Sequence, residues 1–328
     1  MEAIWDLGIE VVRAIQGLGS WLEGPMKFFS FLGTEDFFMF VLPVVFWCID
    51  IGTGMRVAFM LLVGATVNDT FKLLFHGPRP YWYSTQVRAL AGETGFGVPS
   101  GHSQSAVGVW GMLASRLRKS WGWVVAILVA FLIGFSRMYL GVHFPHDVLL
   151  GWTVGALLLW LVVKSWDRVA AWLQKLAPWQ QVLAAFVFSL VLLAPALLTR
   201  AWVQANWQIP QFWVENAATA LPDGPLPAPL LLDGLISNVG TIFGLGVGLV
   251  WLNRMGWFEM KGPWWKLVLR FLVGVLGVLT IRYGLKAIFP EDASLLAYGL
   301  RYLRYTLIGA WVAGGAPWAF LRLGLAEK

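Results

Sequence analysis

Charge is scarce in this chain. Only 13% of its 328 residues are Asp, Glu, Lys or Arg, and histidine occurs just four times. A soluble protein of this length carries about a quarter charged residues, so a water-exposed globule is excluded. Cysteine occurs once, as Cys48. No intrachain disulfide and no multi-cysteine metal site can form, and Cys48 reads as a small apolar helix residue. The net charge of +6 is spread over loops instead of gathered in a patch, so nucleic acid is not an expected partner. The segment MEAIWDLGIEVV lacks a basic n-region and carries Glu2, Asp6 and Glu10, so no cleavable signal peptide is expected there.

What the chain has instead is apolar length. It is 58% hydrophobic with a mean hydropathy of +0.68. Many of its 21 tryptophans, Trp82, Trp121, Trp166, Trp172 and Trp264 among them, fall at segment ends where an interfacial aromatic belt would lie. Runs near 20 residues predict an all-α, polytopic membrane helical bundle of about nine transmembrane helices. They lie at roughly 35–50, 53–75, 101–118, 122–140, 146–165, 180–200, 236–254, 265–288 and 299–321. Four segments follow: an amphipathic interfacial N-terminal part (1–34), core helices (35–200), an external loop (201–235) and C-terminal transmembrane helices (236–328). Gly240, Gly244 and Gly248 recur every fourth residue, a pattern expected at a close helix contact inside the bundle.

Short-loop Lys and Arg set orientation. Arg116, Arg118 and Lys119, then Lys164, Arg168 and Lys175, then Arg254, Lys261 and Lys266 fall on one side. The 201–235 loop on the other side has Glu215, Asp223 and Asp233 but no Lys or Arg. The basic side is expected to be cytoplasmic; the 75–100 segment with Arg79 and Arg88 falls on the opposite face, where Arg301 and Arg304 also reduce the contrast.

Three polar segments interrupt the apolar runs, all on the expected external side: KLLFHGPRP (72–80), PSGH (99–102) and SRMYLGVHFPHD (136–147). They hold a lysine, two arginines, all four histidines and an aspartate at helix ends. Burying such groups is costly unless they meet each other or an anion, and their net sign points to phosphate. Asn68 and Asp69 lie one turn before Lys72 and are placed to orient its ammonium. Pro78 and Pro80 stop the helix and hold Arg79 in an extended turn. Ser100 is positioned to cap the helix after it, with the Gly101 and His102 amides exposed as an anion site. Pro145 suits a first helical turn, which sets His143 just outside that helix and Asp147 within it. Four-residue spacing lets the carboxylate hold one ring nitrogen and leave the other free as a nucleophile. Taken singly, an interfacial Lys or Arg, a plain helix cap or a structural His–Asp pair would explain each segment as well.

Jointly the three segments resemble the signature of the type 2 phosphatidic acid phosphatase superfamily, which includes the vanadium haloperoxidases. Every motif position is matched across about residues 35–165. The resemblance implies a phosphatase/haloperoxidase-type helical core and metal-independent phosphoester hydrolysis through a phosphohistidine. His143 would attack phosphorus, Asp147 would orient it, and His102 would protonate the leaving oxygen and later activate water. Lys72, Arg79, Ser100, Gly101 and Arg137 would hold the phosphoryl oxygens; no metal ligand and no cofactor is expected. His76 and His146 receive no role. Three fixed cations and backbone amides also suit phosphoryl transfer on physical grounds, because charge spreads over the equatorial oxygens.

Membrane-embedded members of this superfamily suggest a lipid phosphate or diphosphate as substrate, drawn from the lipid bilayer. Arg79-Pro80-Tyr81-Trp82, Glu93-Thr94-Gly95 and His143-Phe144-Pro145-His146 also resemble glucose-6-phosphatases, so a soluble sugar phosphate is the alternative. Sphingosine-1-phosphate phosphatases resemble the layout too. A lipid transporter or scramblase is the rival of another class. It is disfavoured because 180–200 and 236–254 carry no mid-span ionisable residue.

Overall fold

The computed structural model describes residues 2–327, and among them helices and connecting loops account for the whole chain, with no strand. The first helices are α1 (Glu2–Gln16), α2 (Glu23–Phe31) and α3 (Glu35–Val44), the last running into a wider π turn at Val45–Ile49. Next come α4 (Ile51–Phe75), the short α5 (Pro80–Tyr83), α6 (Gly101–Leu117), α7 (Ser120–Tyr139) and α8 (Pro145–Leu173). The rest are α9 (Pro178–Asn206), α10 (Gln211–Ala220), α11 (Asp233–Met255), α12 (Trp264–Lys286), α13 (Leu295–Ala310) and α14 (Ala316–Arg322).

Helix starts follow local chemistry. Asp50 Oδ2 accepts the Thr53 amide hydrogen (2.8 Å) ahead of α4, and Ser294 Oγ accepts that of Ala297 (3.1 Å) at α13. Proline opens α5, α8 and α9, where a missing N–H costs nothing.

Among the described residues, six helical stretches are long and apolar enough to cross a membrane: Ile51–Tyr83, α7, α8, α9, α11 and α12. A seventh arises if the pair Ser20–Phe31 and Asp36–Ile49, bent by 50°, is one broken span. The expected nine are not reached. Two of the expected spans are helical but fall short of the requirement. At 101–118, α6 has only 17 residues, and 299–321 is interrupted by a π turn at Trp311–Gly315 and carries Arg301 and Arg304. Rows of exposed apolar side chains, such as Val124, Ile127 and Leu128 on α7 and Val187, Leu190 and Val191 on α9, give these helices a lipid-compatible surface.

The chain folds as two compact units interleaved in sequence. One comprises 1–38, 67–161 and 195–230; the other comprises 39–66, 162–194 and 231–328. In the first unit α6 packs along α7 around Ala106, Ala130 and Ile133. Gly151 and Gly155 let α8 close on α6, since a Cβ there would fall 2.5 Å from the Ser100 carbonyl oxygen and 2.6 Å from that of Gln104. In the second unit the Gly240, Gly244 and Gly248 row lies against the carbonyls of Tyr302, Thr306 and Ala310 on α13. The four-residue repeat is thus an internal helix contact, as expected. Trp47, Leu252, Phe258 and Phe320 form the buried core of this unit.

Candidate active site

The polar residues singled out in the sequence converge in the first unit. The C-terminal turn of α4 brings Lys72, and the Pro78–Pro80 turn brings Arg79. The 84–100 loop leads into the start of α6, α7 ends at Arg137, and His143 and Asp147 bracket the start of α8. Arg79, Ser100, Arg137, His143 and Asp147 are all buried.

Asp147 Oδ2 lies 3.2 Å from His143 Nδ1 and accepts the Phe144 amide hydrogen at 2.9 Å. On the other edge of the ring, Arg79 Nη1 stands 3.2 Å from His143 Nε2. A guanidinium can only donate, so Nε2 must accept and the ring hydrogen belongs on Nδ1, directed at Asp147. His143 therefore has a lone pair on Nε2 facing the cations, the state required of a nitrogen nucleophile. Burial, reinforced by Arg79, Arg137, Lys72 and His102, pushes the pKa of this imidazole well below its usual value and keeps it neutral.

Arg79 is held on three main-chain carbonyls. Its Nε donates to Gly95 O (2.7 Å), Nη1 to Val142 O (3.0 Å) and Nη2 to Phe96 O (3.2 Å). Arg137 donates from Nη1 to Ser30 Oγ on α2 (2.6 Å) and from Nη2 to Glu93 Oε1. Lys72 Nζ lies between two glycines: a Cβ built on Gly95 or on Gly101 would be 3.9 Å from it. The Asn68 amide nitrogen donates to Gln104 Oε1 (2.9 Å) and Pro99 O (3.4 Å), and its Oδ1 lies on the Gly101 side, as Lys72 Nζ does.

Ser100 caps α6 as expected. Its Oγ accepts from Ser103 N (3.4 Å) and from Ser103 Oγ (2.9 Å), which leaves its own hydroxyl hydrogen to give. The Gly101 and His102 amides stand in the first turn, ahead of any intrahelical acceptor. Gly33, at the end of α2, comes close to His102, so that a Cβ there would be 3.2 Å from Cδ2 of that ring.

Of the two histidines without an assigned role, His146 touches Asp147 and His76 lies in a separate aromatic cluster. His146 stacks on Phe144 with ring centres 5.2 Å apart, and its Nε2 is 3.2 Å from Asp147 Oδ1. His76 lies in an aromatic cluster, its ring centre 5.1 Å from that of Trp207 and 6.3 Å from that of Phe96.

Glu93 and Ser30 are contributors that the sequence reading did not assign. Glu93 Oε1 pairs with Arg137 and Oε2 lies 3.5 Å from Arg79 Nη2. Burial disfavours this carboxylate, but Arg79, Arg137, His102 and Lys72 together outweigh it and hold its pKa far below the usual range. Tyr81 pins the main chain at this residue: its hydroxyl donates to Glu93 O and accepts from Glu93 N, both at 3.0 Å. The Glu-Thr-Gly run stood out in the sequence, but a lone glutamate on a loop carries no signal of a pair of arginines 14 and 44 residues away.

The N-terminal segment also braces the site. Gln16, at the end of α1, donates to Arg88 O (2.8 Å) and Tyr139 O (3.0 Å) and accepts from Arg88 N (3.1 Å). Tyr139 OH in turn donates to Gly19 O (2.8 Å).

Residues 53–171 match the PAP2 superfamily, and residues 236–328 match the transmembrane extension of PAP2 superfamily phosphatases. Glucose-6-phosphatase 3 of Bos taurus is 28% identical over 355 aligned positions, covering 97% of this chain and 95% of its own. The Homo sapiens protein of that name is 27% identical, covering 97% and 96%. The solved structure of a transmembrane PAP2 type phosphatidylglycerolphosphate phosphatase from Bacillus subtilis is 28% identical. It covers 51% of this chain and 88% of its own, with a TM-score of 0.45.

Proposed function

Because the chain belongs to the PAP2 superfamily and is a multi-pass membrane phosphatase, we propose that it hydrolyses a phosphate monoester through a phosphohistidine formed on His143. The observation that carries this reading is the ring held between Asp147 and Arg79, with its unprotonated Nε2 turned to the cations. The substrate phosphoryl group sits against Lys72, Arg79 and Arg137. It takes further hydrogen bonds from the Ser100 hydroxyl and the Gly101 and His102 amides. His143 Nε2 attacks phosphorus as the ester P–O bond breaks, and the leaving oxygen takes a proton from His102. Asp147 then faces the positive charge on the phosphorylated ring. In the second half, His102 removes a proton from water, the oxygen attacks phosphorus, the P–N bond breaks and phosphate departs.

The substrate we favour is a small sugar phosphate of the glucose 6-phosphate kind. Relatives named glucose-6-phosphatases align along nearly the whole chain, past the three motif segments and into the C-terminal helices. The lipid phosphate expected from the depth of the site becomes the competing substrate. We also place the site on the external side, opposite the basic loops at 116–119, 164–175 and 254–266.

Phosphate release by detergent-solubilised protein from glucose 6-phosphate and from long-chain phosphatidic acid, compared at fixed surface concentration, tests the substrate. A higher kcat/KM for the sugar phosphate is expected. A higher value for the long-chain lipid would restore the lipid reading and leave the His143 mechanism in place.

A further inference from the structure

We propose that Glu93 is a resident counter-anion of the site: its carboxylate bridges Arg79 and Arg137 where substrate phosphoryl oxygens go, and it yields that bridge on binding. The inference rests on the phosphoryl site read above and adds a moving part to it.

The hydrogen inventory of Arg79 is the starting point. A guanidinium has five N–H groups. Three of them end on the carbonyls of Gly95, Val142 and Phe96. The fourth faces His143 Nε2 at 3.2 Å, and the fifth faces Glu93 Oε2 at 3.5 Å. Four hydrogens are thus committed to hydrogen bonds or the ring nitrogen, and the fifth has only this ion-pair contact with Glu93. A phosphorus in line with Nε2 can be gripped by Arg79 only through the last two, so its oxygens must replace the ring nitrogen and the carboxylate.

Arg137 tells the same story. One of its terminal nitrogens is held by Ser30 and the other by Glu93. Its Nε is buried with no hydrogen-bond partner, an arrangement that costs free energy until an acceptor arrives. A tetrahedral dianion offers more acceptor oxygens than a carboxylate and can serve both arginines. Glu93 and the dianion would repel one another if both stayed on the same two guanidinia.

The loop is built to let one side chain leave without unfolding. Tyr81 fixes the Glu93 main chain through both its N–H and its C=O, so release is a rotation about side-chain bonds. The side chain is already 26% exposed, against 0% for Arg79 and 4% for Arg137, which gives it a direction in which to turn. The return stroke has a chemical use. Lys72 and the two buried arginines would hold the inorganic phosphate product tightly, and a tethered carboxylate that competes for the arginines speeds its departure.

Glu93→Gln keeps the shape and removes the charge, and the probes are inorganic phosphate and vanadate. In the variant, inhibition by both is expected to tighten by about tenfold, the scale of one charged hydrogen bond, and KM to fall with it while kcat does not rise. Weaker inhibition in a variant that still melts cooperatively would mean Glu93 merely supports Arg137, and would overturn the inference. A structure of the unaltered protein with vanadate gives a test independent of the variant. Glu93 should be off both arginines, with vanadate oxygens in its place. Vanadate bound in front of His143 with the Glu93 bridge intact defeats the counter-anion and spares the phosphoryl site. Failure of vanadate to bind there defeats both.

Discussion

Asp147 meets His143 through Oδ2, the same oxygen that takes the Phe144 amide hydrogen. The Phe144 contact decides how a neutral substitute behaves. In Asp147→Asn, the main-chain N–H requires an acceptor at that point, so the amide oxygen and not its NH2 faces the ring. The Nδ1–H tautomer survives, and only the charge that steadies the cationic phosphohistidine is lost. A fall in kcat of about 10- to 1,000-fold is expected, milder than the roughly 10,000-fold seen when such a swap reverses a tautomer. Steady-state kcat, with the variant's melting temperature as a control, measures it.

His143→Ala should leave the fold standing and remove at least about 10,000-fold of kcat, since no other group takes over a covalent step. Labelled phosphate quenched under alkaline conditions should be found on His143 in the unaltered protein. Label recovered on His146 would falsify the assignment of the nucleophile.

The acid side of the pH profile follows from the depressed His143 imidazole. Its neutral form persists below the ordinary value of 6.5, so acidification to that pH should not itself remove the nucleophile, and single-turnover phosphoryl capture should show no loss of rate between pH 7 and pH 6.5. The stability sign runs the same way. As pH drops through 6.5, the unfolded chain binds a proton at this histidine before the folded one does, so stability is lost on acidification. Glu93, with its folded pKa far below 4.5, adds stability above 4.5 that is lost in turn below it. The loss of melting temperature between pH 5 and pH 4 should be smaller in Glu93→Gln than in the unaltered protein. An equal loss in the variant and the unaltered protein would contradict the Glu93 assignment.

Arg79→Lys separates charge from geometry. The ammonium keeps the charge but cannot reach the three carbonyls of Gly95, Phe96 and Val142 at once. Each carbonyl left without a partner costs about 1–3 kcal/mol. The variant should melt several degrees lower and lose most of its activity. A melting temperature equal to that of the unaltered protein would show that the carbonyls find other donors.

In the mechanism proposed above, Lys72, Arg79 and Arg137 would do the work that divalent ions do in two-metal phosphatases. Activity is accordingly expected to survive EDTA and to be inhibited by vanadate. Loss of activity in EDTA with recovery on added magnesium would refute the mechanism.

The contacts among the motif residues were the most legible part of the chain. Proline positions, a serine cap and a four-residue His–Asp interval are local signals, and Ser100, His143 and Asp147 stand where those signals put them. The span count was harder to read, because hydropathy does not register the polar start of α6 or the π turn that divides α13 from α14. Glu93, Ser30 and Gln16 reach their partners across 44, 107 and 72 residues of sequence. No local pattern announces contacts made at that distance.

The hold of Ser30 on Arg137 and of Gln16 on Arg88 and Tyr139 has a consequence for how damage to this protein will be distributed. Both residues precede position 53, where the superfamily match begins. Sensitivity to amino-acid change will therefore extend upstream of the region that defines the family, into helices whose composition looks expendable. A swap at Gln16 or Ser30 touches no reacting atom, yet it loosens the 84–100 loop or the guanidinium that depends on it. Inherited or engineered variants at Gln16 and Ser30 deserve to be scored as active-site variants, because mechanically these two residues brace it from outside.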